Sequence, residues 1–164
     1  MQQELSDIIA FLEETPEVVR RLREGFAGDE LRARADDGTF SFVEHACHLR
    51  DIEREGYGTR IEKILSEDSP QLADVNGAKL AVERRYNEQQ FEEGLGEFSE
   101  ARRRRVSVLR GLTDEQFERR GVLEGVGEIT LARLVSLMRE HDSEHLRELR
   151  ELRGQLLRRR GTEA

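Results

Sequence analysis

The chain has 164 residues, of which 38% are charged, 36% hydrophobic and 5% aromatic, and its formal net charge is −8. That acidic surplus excludes a general nucleic-acid binder, which needs a basic surface against the phosphates. No apolar run approaches the roughly 20 residues of a membrane span, and the single cysteine, Cys47, can form no internal disulfide. A reducing cytoplasm is the expected location. The opening stretch MQQELSDIIAFLEETPE lacks a basic region followed by an apolar core, so no signal peptide is expected. The length favours one domain over residues 1–164.

In chain order, the first predicted helix spans roughly 3–24, with Leu5, Ile8, Ile9, Leu12, Val19 and Leu22 at three-and-four spacing. Pro16 is expected to interrupt it, because proline lacks an N–H, with Thr15 capping a second helical piece. Residues 25–40 read as a loop with at most one helical turn. "SFVE" then opens the second helix: Ser41 and Glu44 form a capping box, and the helix runs to about Leu65. Residues 66–86, with Pro70, Asn76 and Gly77, read as a long connection. The third helix covers roughly 88–112, on a stripe of Phe91, Leu95, Phe98, Val106 and Leu109. A loop with Gly121, Gly125 and Gly127 follows. Thr130 caps a fourth helix that reaches about Arg158. No strand pair is evident, so the prediction is an all-α chain whose long connections are candidates for function.

The fourth helix raises the chemical question. Its apolar stripe runs Leu131, Leu134, Met138, His141, His145, Leu149, Leu152, Leu156. Two of the chain's four histidines therefore occupy the face that should meet the core, one turn apart. Burying two imidazoles without partners is costly, and a shared metal ion satisfies both. The second helix holds the other two, His45 and His48, beside Leu49 and Ile52. Helical spacing alone does not decide which of these points inward. A third imidazole would complete a three-nitrogen site with open positions for water or substrate. The run HDSEH also fits H-x-x-E-H literally, but that metalloprotease pattern needs a downstream acidic ligand on another element, which the helical stretch after His145 does not offer.

The runs "FSFVEHACHLRDIERE" and "TLARLVSLMREHDSEHLREL" together resemble the second-helix and fourth-helix signatures of the DinB/YfiT-like superfamily. The first signature reads aromatic-Ser-hydrophobic-x-Glu-x-x-x-His-Leu-x-Asp-x-Glu, the second Thr-Leu followed by His-Asp-x-x-His-Leu. The resemblance covers roughly Leu5 to Leu152. It implies a four-helix bundle with long crossover loops, usually homodimeric, that holds a divalent metal on three histidines. Aligned on Glu44 and Leu49, it selects His48 rather than His45, together with His141 and His145. It further implies a metal-dependent hydrolase, or an enzyme that joins a low-molecular-weight thiol to an electrophilic small molecule. Phe40 stands where many members have Trp, and Glu148 where many have Gln.

The expected cofactor is a divalent ion, Zn or Ni first, since three imidazoles suit several metals. The expected partners are a second copy of the chain and a small-molecule substrate with a possible thiol cosubstrate, and neither nucleic acid nor membrane. No general acid or base stands out, so a non-catalytic metal-binding stress-response bundle is the rival reading. Asp51 and Glu148, each three residues after a candidate ligand, could orient an imidazole. Cys47 reads as a packed thiol. The run Arg102–Arg105 reads as an anion site or as a solvated face paired with Glu97 and Glu100. His45→Ala is expected to leave metal binding nearly intact.

Overall fold

The computed structural model describes residues 2–162. Its frame is four long helical rods. The first is α1 (Gln2–Arg23). The second is built of α2 (Phe42–Asp51), a π-helical segment (Ile52–Gly58) and α3 (Thr59–Ser66) without a break. The third is α5 (Phe91–Arg110) and the fourth α7 (Leu131–Thr162). Two short helices, α4 (Gly77–Glu83) and α6 (Asp114–Phe117), lie in the connections. α1 packs on α7 and α5, and α2 packs on α5. Gly94 permits the α2–α5 approach: a Cβ there would stand 3.3 Å from Cys47 Sγ and 3.4 Å from the Cys47 backbone nitrogen. The chain is a four-helix bundle.

The start of α2 follows the local rule read from the sequence. Ser41 Oγ accepts the Glu44 N–H at 3.2 Å, and the Glu44 carboxylate accepts the Ser41 N–H at 3.0 Å. Thr130 Oγ1 likewise accepts the Arg133 N–H at the start of α7. Pro16 behaves otherwise than expected, because α1 runs through it unbroken. The missing N–H leaves the Leu12 carbonyl without its helical donor. Arg102 of α5 supplies one, donating from Nη1 to the Leu12 oxygen at 2.9 Å. Thr15 is no cap; its hydroxyl donates back to the Phe11 carbonyl.

The expectation of no strands is also corrected. β1 (Gln71–Leu72), β2 (Arg120–Leu123) and β3 (Gly127–Thr130) form a small sheet in that order. β1 is parallel to β2, with Leu72 opposite Leu123, and β2 is antiparallel to β3, with Gly121 opposite Ile129. Gly125 and Gly127 take positive φ, +75° and +104°, which lets the hairpin turn. The sheet closes one end of the bundle, packing Leu72, Leu123 and Ile129 into the apolar cluster of Ile61, Ile64, Leu131 and Leu134. A second apolar cluster, around Phe42, Leu49, Phe98 and Leu149, fills the other end.

Candidate metal centre

Between the two apolar clusters lies a buried polar layer. His45 and His48 enter it from α2, Glu53 from the π segment, Arg102 from α5, and Asp142 from α7. His141 and His145 of α7 are only partly covered, with side chains 22% and 13% exposed. His48 Nε2 stands 3.1 Å from His141 Nε2, and His145 Nε2 stands 3.2 Å from the same atom. The structure thus brings together the three histidines that the family signature selects.

The spacing of these nitrogens suits a cation. Two imidazole nitrogens bound at about 2.0–2.1 Å around a tetrahedral ion stand about 3.3 Å apart. Hydrogen bonding alone serves the cluster poorly. The His141 Nε2 has either one N–H or one lone pair in the ring plane, so no tautomer gives it two linear bonds to its neighbours. The other ring nitrogens are held unequally. His145 Nδ1 lies 3.0 Å from Glu148 Oε2. His141 Nδ1 lies 3.5 Å from Asp142 Oδ1, too far for a hydrogen bond, and is buried without a hydrogen-bond partner among the described residues. His48 Nδ1 is buried without a hydrogen-bond partner among the described residues.

The three Nε2 atoms face a cleft of about 390 Å³ lined also by Tyr57, Arg60, Asp74, Val75, Glu144 and Glu148. Arg60 closes its rim by donating to the Ala73 carbonyl at 2.9 and 3.1 Å and to Asp74 at 3.3 Å. The Tyr57 hydroxyl donates to the Leu137 carbonyl, and its ring meets the edge of His141. Phe40 packs on both His45 and His48, with ring centroids 5.6 and 5.4 Å away. Gly77 presses on His48 from the cleft side. A Cβ there would stand 2.7 Å from His48 Nδ1 and nearer still to Cε1. Gly77→Ala is therefore expected to tilt the His48 ring and weaken metal binding about 10- to 100-fold, the range for a lost supporting contact. Calorimetric titration with Zn(II) checks this; unchanged affinity would mean that the ring has room to move.

Two of the anticipated supporting roles divide. Glu148 does touch a candidate ligand. Asp51 does not: its carboxylate accepts from Arg50, Arg84 and Tyr86, each at 2.7 Å, and fastens the connection after α4 to α2. Cys47 is a buried free thiol, and burial pushes its pKa up to about 11, so it is no thiolate nucleophile.

The arginine run is neither an anion site nor a uniformly solvated face. Arg102 is 2% exposed and binds Glu53 at 3.0 Å and Asp142 at 2.6 Å. Of the expected pairings only Arg104–Glu100 forms; Glu97 instead meets Arg50 and Arg54. Glu53, Arg102 and Asp142 are the members of the layer that reading the helical stripe missed. The signal was present, since the two signatures include Glu53 and Asp142 themselves.

Burial, reinforced by the neighbouring imidazoles, pushes His45 well below the usual histidine range and His48 down to about 2. Burial also lowers His141, although the Asp142 carboxylate opposes the shift. Depressed folded-state values mean that the unfolded chain binds more protons below pH 6.5. Stability is therefore full above about 6.5 and falls as pH drops below it, by about 1.4 kcal/mol per pH unit for each histidine held neutral. Thermal melts of the metal-free protein between pH 7.5 and 5 check this. A flat melting temperature across that range contradicts it.

A model of the DinB superfamily matches residues 12–149 of the chain. Among solved structures, the chain is similar to YfiT from Bacillus subtilis, described as a probable metal-dependent hydrolase with an unusual four-helix bundle topology. The two are 23% identical and superpose with a TM-score of 0.85, over 98% of this chain and 90% of that one. At that identity the likeness shows the fold. No curated protein matches the chain. Among the described residues, no helix is long and apolar enough to cross a membrane. The family match spans α2 and most of α7, the two helices that carry the histidines, and the chain belongs to the DinB superfamily.

Proposed function

We propose that the protein is a metal-dependent enzyme that transfers a low-molecular-weight thiol, or water, to an electrophilic small molecule, with His48, His141 and His145 holding a divalent ion. The observation that carries the reading is the convergence of three Nε2 atoms on the wall of an open cleft rather than inside a closed core. A closed structural site surrounds its ion with four protein ligands, whereas three ligands facing a cleft leave a position for a reactant. The similarity to YfiT, itself described as a probable metal-dependent hydrolase, supports the metal-dependent part.

A bound divalent ion would lower the pKa of a thiol or water and so supply a nucleophilic anion near neutral pH. The chain's own residues would do the rest. Glu148 fixes the His145 ring through Nδ1, so that Nε2 presents its lone pair. Tyr57, Ile52 and Val75 give the cleft an apolar wall beside the three nitrogens. Arg60 holds the Ala73–Asp74 stretch over the opening.

The test is turnover by protein loaded with Zn(II) or Ni(II), offered small thiols and a chromogenic electrophile, and separately an ester or amide without thiol. Thiol-dependent product release supports transfer, and thiol-independent release supports hydrolysis. Tight metal binding with neither activity would favour the non-catalytic reading.

A further inference from the structure

Behind the three-nitrogen cluster stands His45, which the family signature passes over; its surroundings argue against the expectation that its loss leaves metal binding nearly intact. Its side chain is fully enclosed, and neither ring nitrogen has a hydrogen-bond partner among the described residues. A neutral imidazole always carries one N–H, and leaving that donor unmade in a buried site costs about 1–3 kcal/mol. Glu148 offers an acceptor close by: His45 Nε2 lies 3.8 Å from Glu148 Oε2, about 1 Å beyond hydrogen-bond length. That same oxygen lies 3.0 Å from His145 Nδ1. The His45 ring also meets the His145 ring edge-on, at 5.2 Å between centroids.

We infer that His45 is a positioning residue: its N–H anchors the Glu148 carboxylate, which in turn fixes the tautomer and orientation of the ligand imidazole of His145. The inference rests on the three-histidine site proposed above. Its geometry sets one carboxylate oxygen between two imidazoles, 3.0 Å from the one turned to the cleft and 3.8 Å from the one sealed in the core. A lone glutamate on the surface of α7 has several rotamers open to it. A donor reaching it from α2 selects the one that meets His145.

The alternative use of the same atoms is a second ion. His45, His145 and Glu148 each offer a ligand atom, all within 4.8 Å of one another. That arrangement would need His145 to bind metal through both ring nitrogens, and it predicts a different stoichiometry.

The experiment uses the full chain and Zn(II) alone, titrated calorimetrically, with nitrogen-15 NMR of the histidine rings in the metal-free protein. Wild type is expected to bind one equivalent and to show His145 as the Nδ1–H tautomer. His45→Phe is expected to keep one equivalent but lose about tenfold in affinity, with a mixed His145 tautomer. His45→Gln, which returns a donor at similar reach, restores most of that loss. In the Glu148→Ala background, adding His45→Phe changes affinity less than twofold, because the route to His145 is already cut. A packing role would instead give the same loss in both backgrounds, and that result overturns the inference. So does unchanged affinity in His45→Phe, or loss of a second bound equivalent. Should phenylalanine overfill the site, His45→Leu removes the same donor. Loss of all binding by wild type itself would count against the three-histidine site rather than against the role of His45.

Discussion

Replacing His141 or His145 with alanine is expected to abolish tight binding of Zn(II) or Ni(II). His141 Nε2 stands 3.1 Å from His48 Nε2 and 3.2 Å from His145 Nε2, and all three ligand atoms lie within 4.8 Å of one another. Removing one leaves two, and the loss should exceed the 10- to 100-fold typical of outer partners such as Glu148. The effect extends to stability. An ion present at a thousand times its dissociation constant stabilises the native state by about 4.1 kcal/mol, so melting temperature should rise with metal in wild type. That rise should vanish in both variants and in His48→Ala. Calorimetry gives the affinity and thermal melts give the linkage. If either α7 variant keeps wild-type affinity, the ion is held elsewhere.

The second large effect lies behind the site. Arg102→Met is expected to destabilise the fold by about 3–5 kcal/mol, the usual consequence of stranding buried charges. Burial opposes the Arg102 charge, but Asp142 and Glu53 outweigh it and hold its pKa above the ordinary value. Burial likewise pushes Asp142 up, and the guanidinium overrides it, holding the carboxyl at about 2. Methionine fills similar space and leaves the two buried carboxylates only their longer contacts, Arg105 at 3.8 Å from Glu53 and His141 at 3.5 Å from Asp142. It also returns the Leu12 carbonyl to the orphaned state that Pro16 created. Urea denaturation measures the loss. A change below about 1 kcal/mol, the scale of a surface ion pair, would show that the triad is solvated in solution.

The histidine pair and the capping box were legible because both are local. Residues three or four apart on one helix meet whatever the rest of the chain does. Family resemblance then chose His48 over His45, which helical spacing could not. What stayed hidden depends on partners far along the chain. Asp142 belongs to the fourth-helix signature, but its burial depends on Arg102, 40 positions away, which supplies the counter-charge. Pro16 reads as a break, yet the same arginine repairs the helix from 90 positions away. The strands were missed because each has four residues or fewer, too short for alternation to show. Asp51 and Glu148 follow candidate ligands at the same interval, and only the packing of the connection after α4 separates them.

The π segment bears on how this chain lines up with its relatives. His48 and Tyr57 are nine positions apart, which in a regular helix of roughly 3.6 residues per turn puts them on opposite sides. Both nevertheless line one cleft, because the wide turn over Ile52–Gly58 absorbs a residue between them. Such turns behave as single-residue insertions within a helix. A DinB protein that keeps an ordinary helix there should therefore show an eight-position spacing between its second-helix ligand and the aromatic wall. Any comparison that aligns the two without a gap will be off by one residue at every position from the wide turn to the end of α3.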